Sequence, residues 1–172
     1  EEETYKEQFK QLLEALDEHQ DISIIFTKSN ADVDARSIDS LIDEYVSKNN
    51  IRAKSFSTMG QLLYISTLQY VDAVVGNSSS GIIEAPSFKV ATINIGDRQD
   101  GRARASSTID CKPDIQSIRK SFQILYSKKF QDELKLTKSP YGGGYVSRKI
   151  MNVISKHNFN DDLKKQFFDI DL

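Results

Sequence analysis

Residues 71–104 read VDAVVGNSSSGIIEAPSFKVATINIGDRQDGRAR, and this stretch decides the fold. The run Asp72–Val75 predicts a short buried strand that Gly-Asn ends. The small residues Ser78–Gly81 follow and lead into the apolar Ile82 and Ile83, which predicts a helix that starts at Ser80 or Gly81. Val90–Ile95 predicts a second strand, followed by an arginine-rich loop. A strand, a turn, a helix and a strand in this order indicate an α/β fold.

The rest of the chain repeats the alternation of strand and helix. The other predicted strands are Asp21–Thr27, Ile51–Phe56 and Thr108–Cys111. The predicted helices are Tyr5–Glu18, Ile38–Val46, Gly60–Tyr70 (lined by Leu62, Leu63, Ile65 and Leu68), Pro113–Ser127 and, after the glycine-rich junction 136–145, Val146–Lys156. Arg52 and Lys54 are expected to point outward. Successive β–α units predict a three-layer, Rossmann-like parallel sheet with ligands bound outside the carboxyl ends of its strands.

The composition is that of an ordinary globular protein. Hydrophobic residues make up 38% and charged residues 28% of the 172 residues, and the formal net charge is −2. Nucleic-acid binding usually needs a basic face, so we expect no nucleic-acid partner. No apolar run approaches the roughly 20 residues that cross a bilayer, and no signal peptide opens the chain. We therefore expect a cytoplasmic protein without a membrane partner, in which the single cysteine, Cys111, is a small core residue.

The turn Ser78–Gly81 has the chemistry of an anion site. A strand-to-helix turn points unpaired backbone N–H groups and the positive end of a helix dipole at one place, where a phosphate fits. The hydroxyls add hydrogen bonds, and Gly81 permits a ligand to approach the backbone closely. Glu84 would repel a phosphate, so we expect it to accept hydrogen bonds from a vicinal diol such as that of ribose. The alternative is a plain helix cap with Glu84 in the first turn.

The motif GNSSSGIIEAPSFKV (76–90), followed by TINIGDRQ (92–99) and GR, resembles the C-terminal domain of the hydrolysing UDP-N-acetylglucosamine 2-epimerases of sialic acid biosynthesis. Non-hydrolysing 2-epimerases carry a doubled Gly and a Gln-Glu-Glu run at this turn, so the serines favour the hydrolysing branch. The resemblance implies the C-terminal half of a two-domain, GT-B-like architecture. It further implies a nucleotide-binding domain over residues 1–156 and a tail of residues 157–172 that docks on an N-terminal domain.

The resemblance also implies roles for individual residues. Ser78 and Ser79 match positions that bind the diphosphate of UDP, and Glu84 matches the carboxylate that binds the ribose hydroxyls. Arg98 matches an arginine that faces the nucleotide-sugar cleft, where a guanidinium can hold a phosphate and stabilise departing UDP. From the residues alone, Arg98 would be a solvated loop charge.

Three further assignments concern the uracil base. Asn30, after the strand that ends at Thr27, matches a polar residue near the nucleotide in relatives. Met59 lies where a backbone segment pairs with the base edge, so its side chain need not be polar. Tyr64 either packs on the base or is an ordinary core aromatic, and the sequence slightly favours the second interpretation.

The remaining polar candidates are assigned no chemistry. No His/Cys/Asp cluster has the spacing of metal ligands, and we expect neither a metal nor a cofactor. The residues interpreted as solvated, capping or structural are Arg102, Arg104, His19, His157, Asp32 and Asp34.

The family's reaction begins with anti elimination of UDP from UDP-N-acetylglucosamine. Syn addition of water to the 2-acetamidoglucal then gives N-acetylmannosamine. The resemblance places the acid and base carboxylates in an N-terminal half, and a cleft histidine just before the segment that matches Glu1–Tyr5. We therefore expect this chain to hold UDP without turnover, to need its own N-terminal domain as a partner, and to belong to a homo-oligomer at full length.

Three alternatives stay open. The sugar could instead be a UDP-linked diacetamido sugar for legionaminic-type acids. The chain could be the donor half of a GT-B glycosyltransferase, although the GDRQ loop argues against it. It could also be a nucleotide-sensing module without enzyme activity.

Overall fold

The computed structural model describes residues 5–28, 35–142 and 144–158, and the chain divides after Pro140 into two compact units. The strands are β1 (Ile24–Thr27), β2 (Ala53–Phe56), β3 (Ala73–Gly76), β4 (Ala91–Ile95) and β5 (Thr108–Cys111). The helices are α1 (Tyr5–Asp17), α2 (Ala35–Lys48), α3 (Gly60–Thr67), α4 (Ser79–Ile83), α5 (Ile115–Leu125), α6 (Lys128–Leu134) and α7 (Val146–Ile154), with a 3-10 helix at Ala85–Phe88.

All the described strands pair in parallel, which confirms the α/β class. They form two ladders: β1 pairs with β2, and β4 lies between β3 and β5. The register of the second ladder sets Gly76 opposite Asn94, and Ile95 opposite Cys111. The carboxyl ends of β3, β4 and β5 therefore meet at one edge, and the loops that follow them start side by side.

One hydrophobic core serves both ladders. Phe26 of β1 and Ala53 of β2 belong to the same buried cluster as Ile93 of β4. The apolar faces of α1 and α5 cover this cluster with residues at helical spacing: Leu12, Ala15, Leu16, Ile118, Phe122 and Leu125. Each fully buried Leu, Ile or Phe contributes about 1.5–3 kcal/mol. The sheet is thus fixed by packing on its helices as well as by its ladders.

Arg52 fastens α1 to α2 and β2, contrary to the expectation that it points outward. Its guanidinium donates to Asp17 Oδ1 at 3.0 Å, to the His19 carbonyl at 3.0 Å and to the Tyr45 hydroxyl at 2.6 Å. It also lies 5.7 Å from the centre of the Tyr45 ring. A cation is favourable at the C-terminal end of α1, where carbonyl groups lack helical partners. Lys54 is exposed, as predicted.

Two helical segments differ from the sequence prediction. The segment Lys128–Leu134 was not predicted as a helix; its start is capped by Ser127, whose hydroxyl accepts a hydrogen bond from the Phe130 amide at 3.3 Å. In α3, Leu68 at the C-cap is buried, but Leu62 is 84% and Leu63 is 50% exposed. The expectation that Leu62 and Leu63 line the core is therefore wrong.

The unit that begins at Tyr141 contains α7, which starts where Val146 was predicted to open a helix. Its apolar side chains, among them Ile150, Met151 and Val153, are exposed. The predicted division into residues 1–156 and 157–172 stays a prediction. Within the described ranges, no helix combines the length and the apolar character needed to cross a membrane.

Gly81 of α4 packs directly on β4. A Cβ atom at Gly81 would lie 2.6 Å from Thr92 Cγ2, and Thr92 Oγ1 donates to the Gly81 carbonyl at 2.7 Å. Thr92 cannot rotate its methyl group away from Gly81 without losing this hydrogen bond. This contact explains a glycine here by helix–sheet packing; a close approach of ligand to Gly81 stays a prediction.

The first prediction follows from this contact. Gly81→Ala should lower the free energy of unfolding by about 1–3 kcal/mol, because overpacking outweighs the gain in helix propensity. Thr92→Ser removes Cγ2 and keeps the hydroxyl, so the alanine should cost clearly less in that background. Chemical denaturation of the four chains measures both effects. Equal costs in the two backgrounds would show that the Thr92 methyl is not the obstacle.

The second prediction concerns the Tyr45 phenol. Burial raises its pKa to about 12, and the neighbouring Asp17 carboxylate adds to the rise. Since the folded-state pKa lies above the ordinary value of 10.0, the neutral phenol stabilises the fold below about pH 10, and this contribution is lost as the pH rises towards 12. A titration of phenolate absorbance should show a late step near pH 12 that Tyr45→Phe abolishes. Persistence of that step in the variant would assign it to another tyrosine.

Candidate functional site

The serine turn joins β3 to α4 at the carboxyl edge of the sheet. Gly76 ends β3 with φ of 140°, a backbone conformation that L side chains rarely adopt. Ser78 is exposed and caps α4, where its hydroxyl accepts a hydrogen bond from the Ser80 amide at 3.4 Å. Ser79 is half-buried as the first residue of the helix. The capping interpretation is therefore confirmed for Ser78, but its placement of Glu84 in the first turn is wrong, because α4 is so short that Glu84 lies at its C-cap. A cap at Ser78 leaves other first-turn N–H groups without helical acceptors.

Tyr64 of α3 reaches this turn. Its hydroxyl and the Ser80 hydroxyl form a hydrogen bond. Burial raises the pKa of the Tyr64 hydroxyl; the Ser80 hydrogen bond opposes this rise, and the negative charge of Glu84 adds to it. Glu84 is half-buried at the C-cap of α4, and its carboxylate accepts no hydrogen bond from the part of the chain that the structure describes. Tyr64, the serine turn and Glu84 therefore form one cluster.

Gln99 connects the loop after β4 to the serine turn. Its side chain is buried, and Nε2 donates to the Asn77 carbonyl at 2.8 Å. Arg98, directly before it, is exposed and forms no ion pair with any residue in the described ranges. The segments that carry Arg98 and Ser78 are thereby held at the same edge of the sheet. The sequence analysis gave Gln99 no role, because a polar loop residue shows no local signal of burial.

Arg104 is held by two carboxylates, which corrects its interpretation as a solvated charge. Its guanidinium contacts Asp100 Oδ1 at 2.6 Å and Asp110 Oδ1 at 3.0 Å. The same Asp110 oxygen accepts a hydrogen bond from the buried Asn94 side chain at 2.7 Å. The far end of the loop is thus tied to β4 and β5. Arg102 is exposed, as predicted.

The residues assigned to the base are only partly described. Asn30 lies outside the described residues. Met59 is half-buried and precedes α3 at its N-cap, where its side chain caps no helical group. Met59 and Tyr64 therefore stand before and within the same helix, and contact of either with a base stays a prediction.

A cavity of about 1370 Å³ opens beyond the ends of β4 and β5. Its lining includes Asp97, Cys111, Lys112 and Lys120, but not Ser78, Ser79, Glu84 or Arg98. The serine turn therefore does not line this cavity, and its Ser78 lies on the surface.

Two further residues pack against the core. Cys111 is partly buried against the core, and this burial raises the pKa of its thiol; it lies at the edge of the core instead of inside it. The His19 ring packs 4.8 Å from the Phe122 ring, measured between centroids. Among the residues that the structure describes, no three His, Cys, Asp or Glu side chains are grouped as metal ligands would be.

Comparison with known proteins identifies relatives along most of the chain. The family model described as UDP-N-acetylglucosamine 2-epimerase matches residues 1–155. A GDP/UDP-N,N'-diacetylbacillosamine 2-epimerase (hydrolyzing) of Campylobacter jejuni is 40% identical over 96% of this chain and 43% of its own length. The polysialic acid biosynthesis protein P7 of Escherichia coli is 38% identical over 68% of this chain and 29% of its own length.

A solved structure agrees with the fold. The S. aureus MnaA–UDP co-structure superposes with a TM-score of 0.70 over 87% of this chain and 40% of its own chain, at 15% identity. This likeness confirms the Rossmann-like α/β fold of one half of a GT-B-like architecture. The chain spans less than half the length of these relatives. With nine-tenths of its residues matched by the family model, the chain belongs to the UDP-N-acetylglucosamine 2-epimerase family.

Proposed function

We propose that this chain is the UDP-binding half of a hydrolysing UDP-sugar 2-epimerase. The observation that carries the proposal is that Ser78 and Ser79 at the start of the five-residue helix α4, and Glu84 at its C-cap, lie together at the carboxyl edge of a parallel sheet. Ligands of open α/β sheets bind at that edge. In a family defined by UDP-N-acetylglucosamine epimerisation, a nucleoside diphosphate is the ligand that this edge would take.

The chemistry of the cluster suits the parts of UDP. The exposed Ser78 hydroxyl and the N–H groups at the start of α4 offer donors to the diphosphate. The Glu84 carboxylate accepts no hydrogen bond from the described residues. It can therefore accept hydrogen bonds from both hydroxyls of a ribose diol. Hydrogen bonds to a charged acceptor are worth about 1.5–3 kcal/mol each. Arg98 supplies the positive charge that a departing diphosphate requires.

Each part of the ligand is therefore assigned to its own group. Ser80 is left out of the diphosphate contacts, because its hydroxyl is already bonded to Tyr64. Full-length enzyme would release UDP by anti elimination and add water syn to the resulting glycal. The groups that we assign here bind the nucleotide, and none is assigned to proton transfer.

The third prediction tests nucleotide binding. UDP should produce saturable NMR shifts centred on the amides of residues 76–84 and 96–98, and inorganic pyrophosphate, which lacks the ribose, should bind more weakly. Glu84→Ala should raise the Kd for UDP about tenfold or more, because the ribose loses its charged acceptor. Glu133→Ala removes an exposed carboxylate of α6 and should leave the Kd unchanged.

The outcome of this titration decides the proposal. An unchanged Kd in Glu84→Ala would remove the ribose assignment. Absence of shifts with millimolar UDP would reject the UDP-binding role. A matching titration with GDP is informative because the Campylobacter relative is named for both nucleotides.

The fourth prediction concerns turnover and the sugar. This chain alone, incubated with UDP-N-acetylglucosamine, should release no UDP above the buffer control, since the assigned groups only bind. The complete gene product should release UDP and a free 2-acetamido sugar with inverted configuration at C2. UDP release by this chain alone would show that it carries its own proton-transfer groups.

One observation favours a second substrate. The 40% identical relative is named for N,N'-diacetylbacillosamine, whereas the P7 relative is named for polysialic acid biosynthesis. Offering UDP-N-acetylglucosamine and UDP-N,N'-diacetylbacillosamine to the complete product, and comparing kcat/KM, separates the two. If only UDP-N,N'-diacetylbacillosamine is turned over, the complete product would be assigned to the diacetamido sugar reaction instead of the sialic acid reaction.

A further inference from the structure

Gln99 is buried, although the residues on either side of it in the loop are exposed. Its side chain is 3% exposed, whereas Arg98 and Asp100 on either side of it are exposed. Nε2 donates to the Asn77 carbonyl, 22 positions earlier in the chain, at 2.8 Å. A carbonyl oxygen can only accept, so this contact fixes which end of the amide faces the turn.

The other end of the amide has no partner. Gln99 Oε1 is buried and makes no hydrogen bond within the described part of the chain. An unpaired buried oxygen lowers stability. A methionine would have a similar shape and would bring no unpaired oxygen, although it would lose the bond to the Asn77 carbonyl. Leaving a buried oxygen unpaired generally costs at least as much as one neutral hydrogen bond returns, so stability alone does not account for a glutamine at this position.

The bond joins two segments whose directions the strands do not fix. The turn leaves β3 through Gly76 with φ of 140°, and the loop leaves β4 through Gly96 with φ of 81°. Gly76 pairs with Asn94, and Gly96 is held by the Cys111 carbonyl at 2.9 Å and by the Asn94 side chain at 3.4 Å. These contacts hold the glycines themselves, so the residues beyond them need a tie from elsewhere. Asn77 directly precedes Ser78, and Gln99 directly follows Arg98. Their hydrogen bond is therefore the tie nearest to both candidate diphosphate contacts.

We propose that Gln99 is a positioning residue, which holds Arg98 and Ser78 at the separation at which both reach one diphosphate. The proposal rests on the proposed UDP binding and goes beyond it by naming the residue that couples the two segments. Gln99 acts through its neighbours, because its own amide is closed off from solvent. It follows that the effect of Gln99 on UDP binding depends on the presence of Arg98.

A double-mutant cycle on this chain tests that dependence. Gln99→Met removes both polar atoms and should raise the Kd for UDP about five- to tenfold, the effect of one lost hydrogen bond of this kind. In an Arg98→Ala background the same change should have little effect, since the contact that it positions is gone. Thr137→Val is the matched control: it removes a buried hydroxyl that bonds to Ser106 at 2.9 Å, and it should leave the Kd unchanged.

A second variant gives a readout that a purely structural role would not move. In Gln99→Glu, the ionised carboxylate cannot donate to the Asn77 carbonyl, whereas the protonated carboxyl can. Its Kd relative to the unchanged chain should therefore improve between about pH 8 and about pH 5, helped by the effect of burial on a carboxyl pKa. Gln99→Glu also tests the positioning role if Gln99→Met does not fold.

The outcomes are distinct. Equal losses with and without Arg98, or no loss at all, would overturn the positioning role while leaving UDP binding intact. A pH-independent deficit in Gln99→Glu would also count against it. Failure of the unchanged chain to bind UDP would reject the proposed function, and the inference with it, before any variant is compared.

Discussion

The packing of α4 against β4 is the constraint on which the rest of the site depends. Residues Ala91–Asn94 of β4 are buried, and this strand pairs with a neighbour on each side. It admits α4 only because Gly81 has no side chain and Thr92 bonds to its carbonyl. A Cβ atom at Gly81 would require a shift of Thr92 or of the helix start that carries the serines. The position of the serines that we propose as diphosphate contacts therefore depends on packing inside the core.

Side-chain hydrogen bonds connect the surface loops to this sheet. Asn94 on β4 reaches Asp110 on β5, which also holds Arg104 at the far end of the loop. Gln99 closes the near end onto the serine turn. Such bonds cost little binding energy because they are formed before any ligand arrives. A loop fixed at both ends presents Arg98 from a rigid base, although its side chain stays in solvent.

Sequence patterns predicted the order of elements well because strand and helix periodicities are local. They failed where burial depends on partners distant in the chain. Arg52 alternates like an exposed strand residue, yet it lies among the carbonyls at the end of α1. Leu62 has helical apolar spacing and nevertheless faces solvent. Motif chemistry predicted roles for Ser78 and Glu84, and these roles stay predictions. It could not predict the burial of Gln99 or the Tyr64–Ser80 bond, since both arise from tertiary contacts across 22 and 16 positions.

The two glycines at the carboxyl ends of β3 and β4 affect how this site can evolve. A Cβ atom at Gly76 or Gly96 would meet nothing within 4 Å, so the obstacle to substitution is backbone conformation alone. No repacking of neighbours can relieve such strain. Every missense change of a glycine codon adds a side chain, so each replacement at either position meets this backbone strain. Gly101, exposed in the same loop, has φ of 80° and carries the same restriction. Asp97, an exposed residue of this loop with no assigned contact to the ligand, carries none, so variation among relatives should accumulate at such positions while the glycines stay constant.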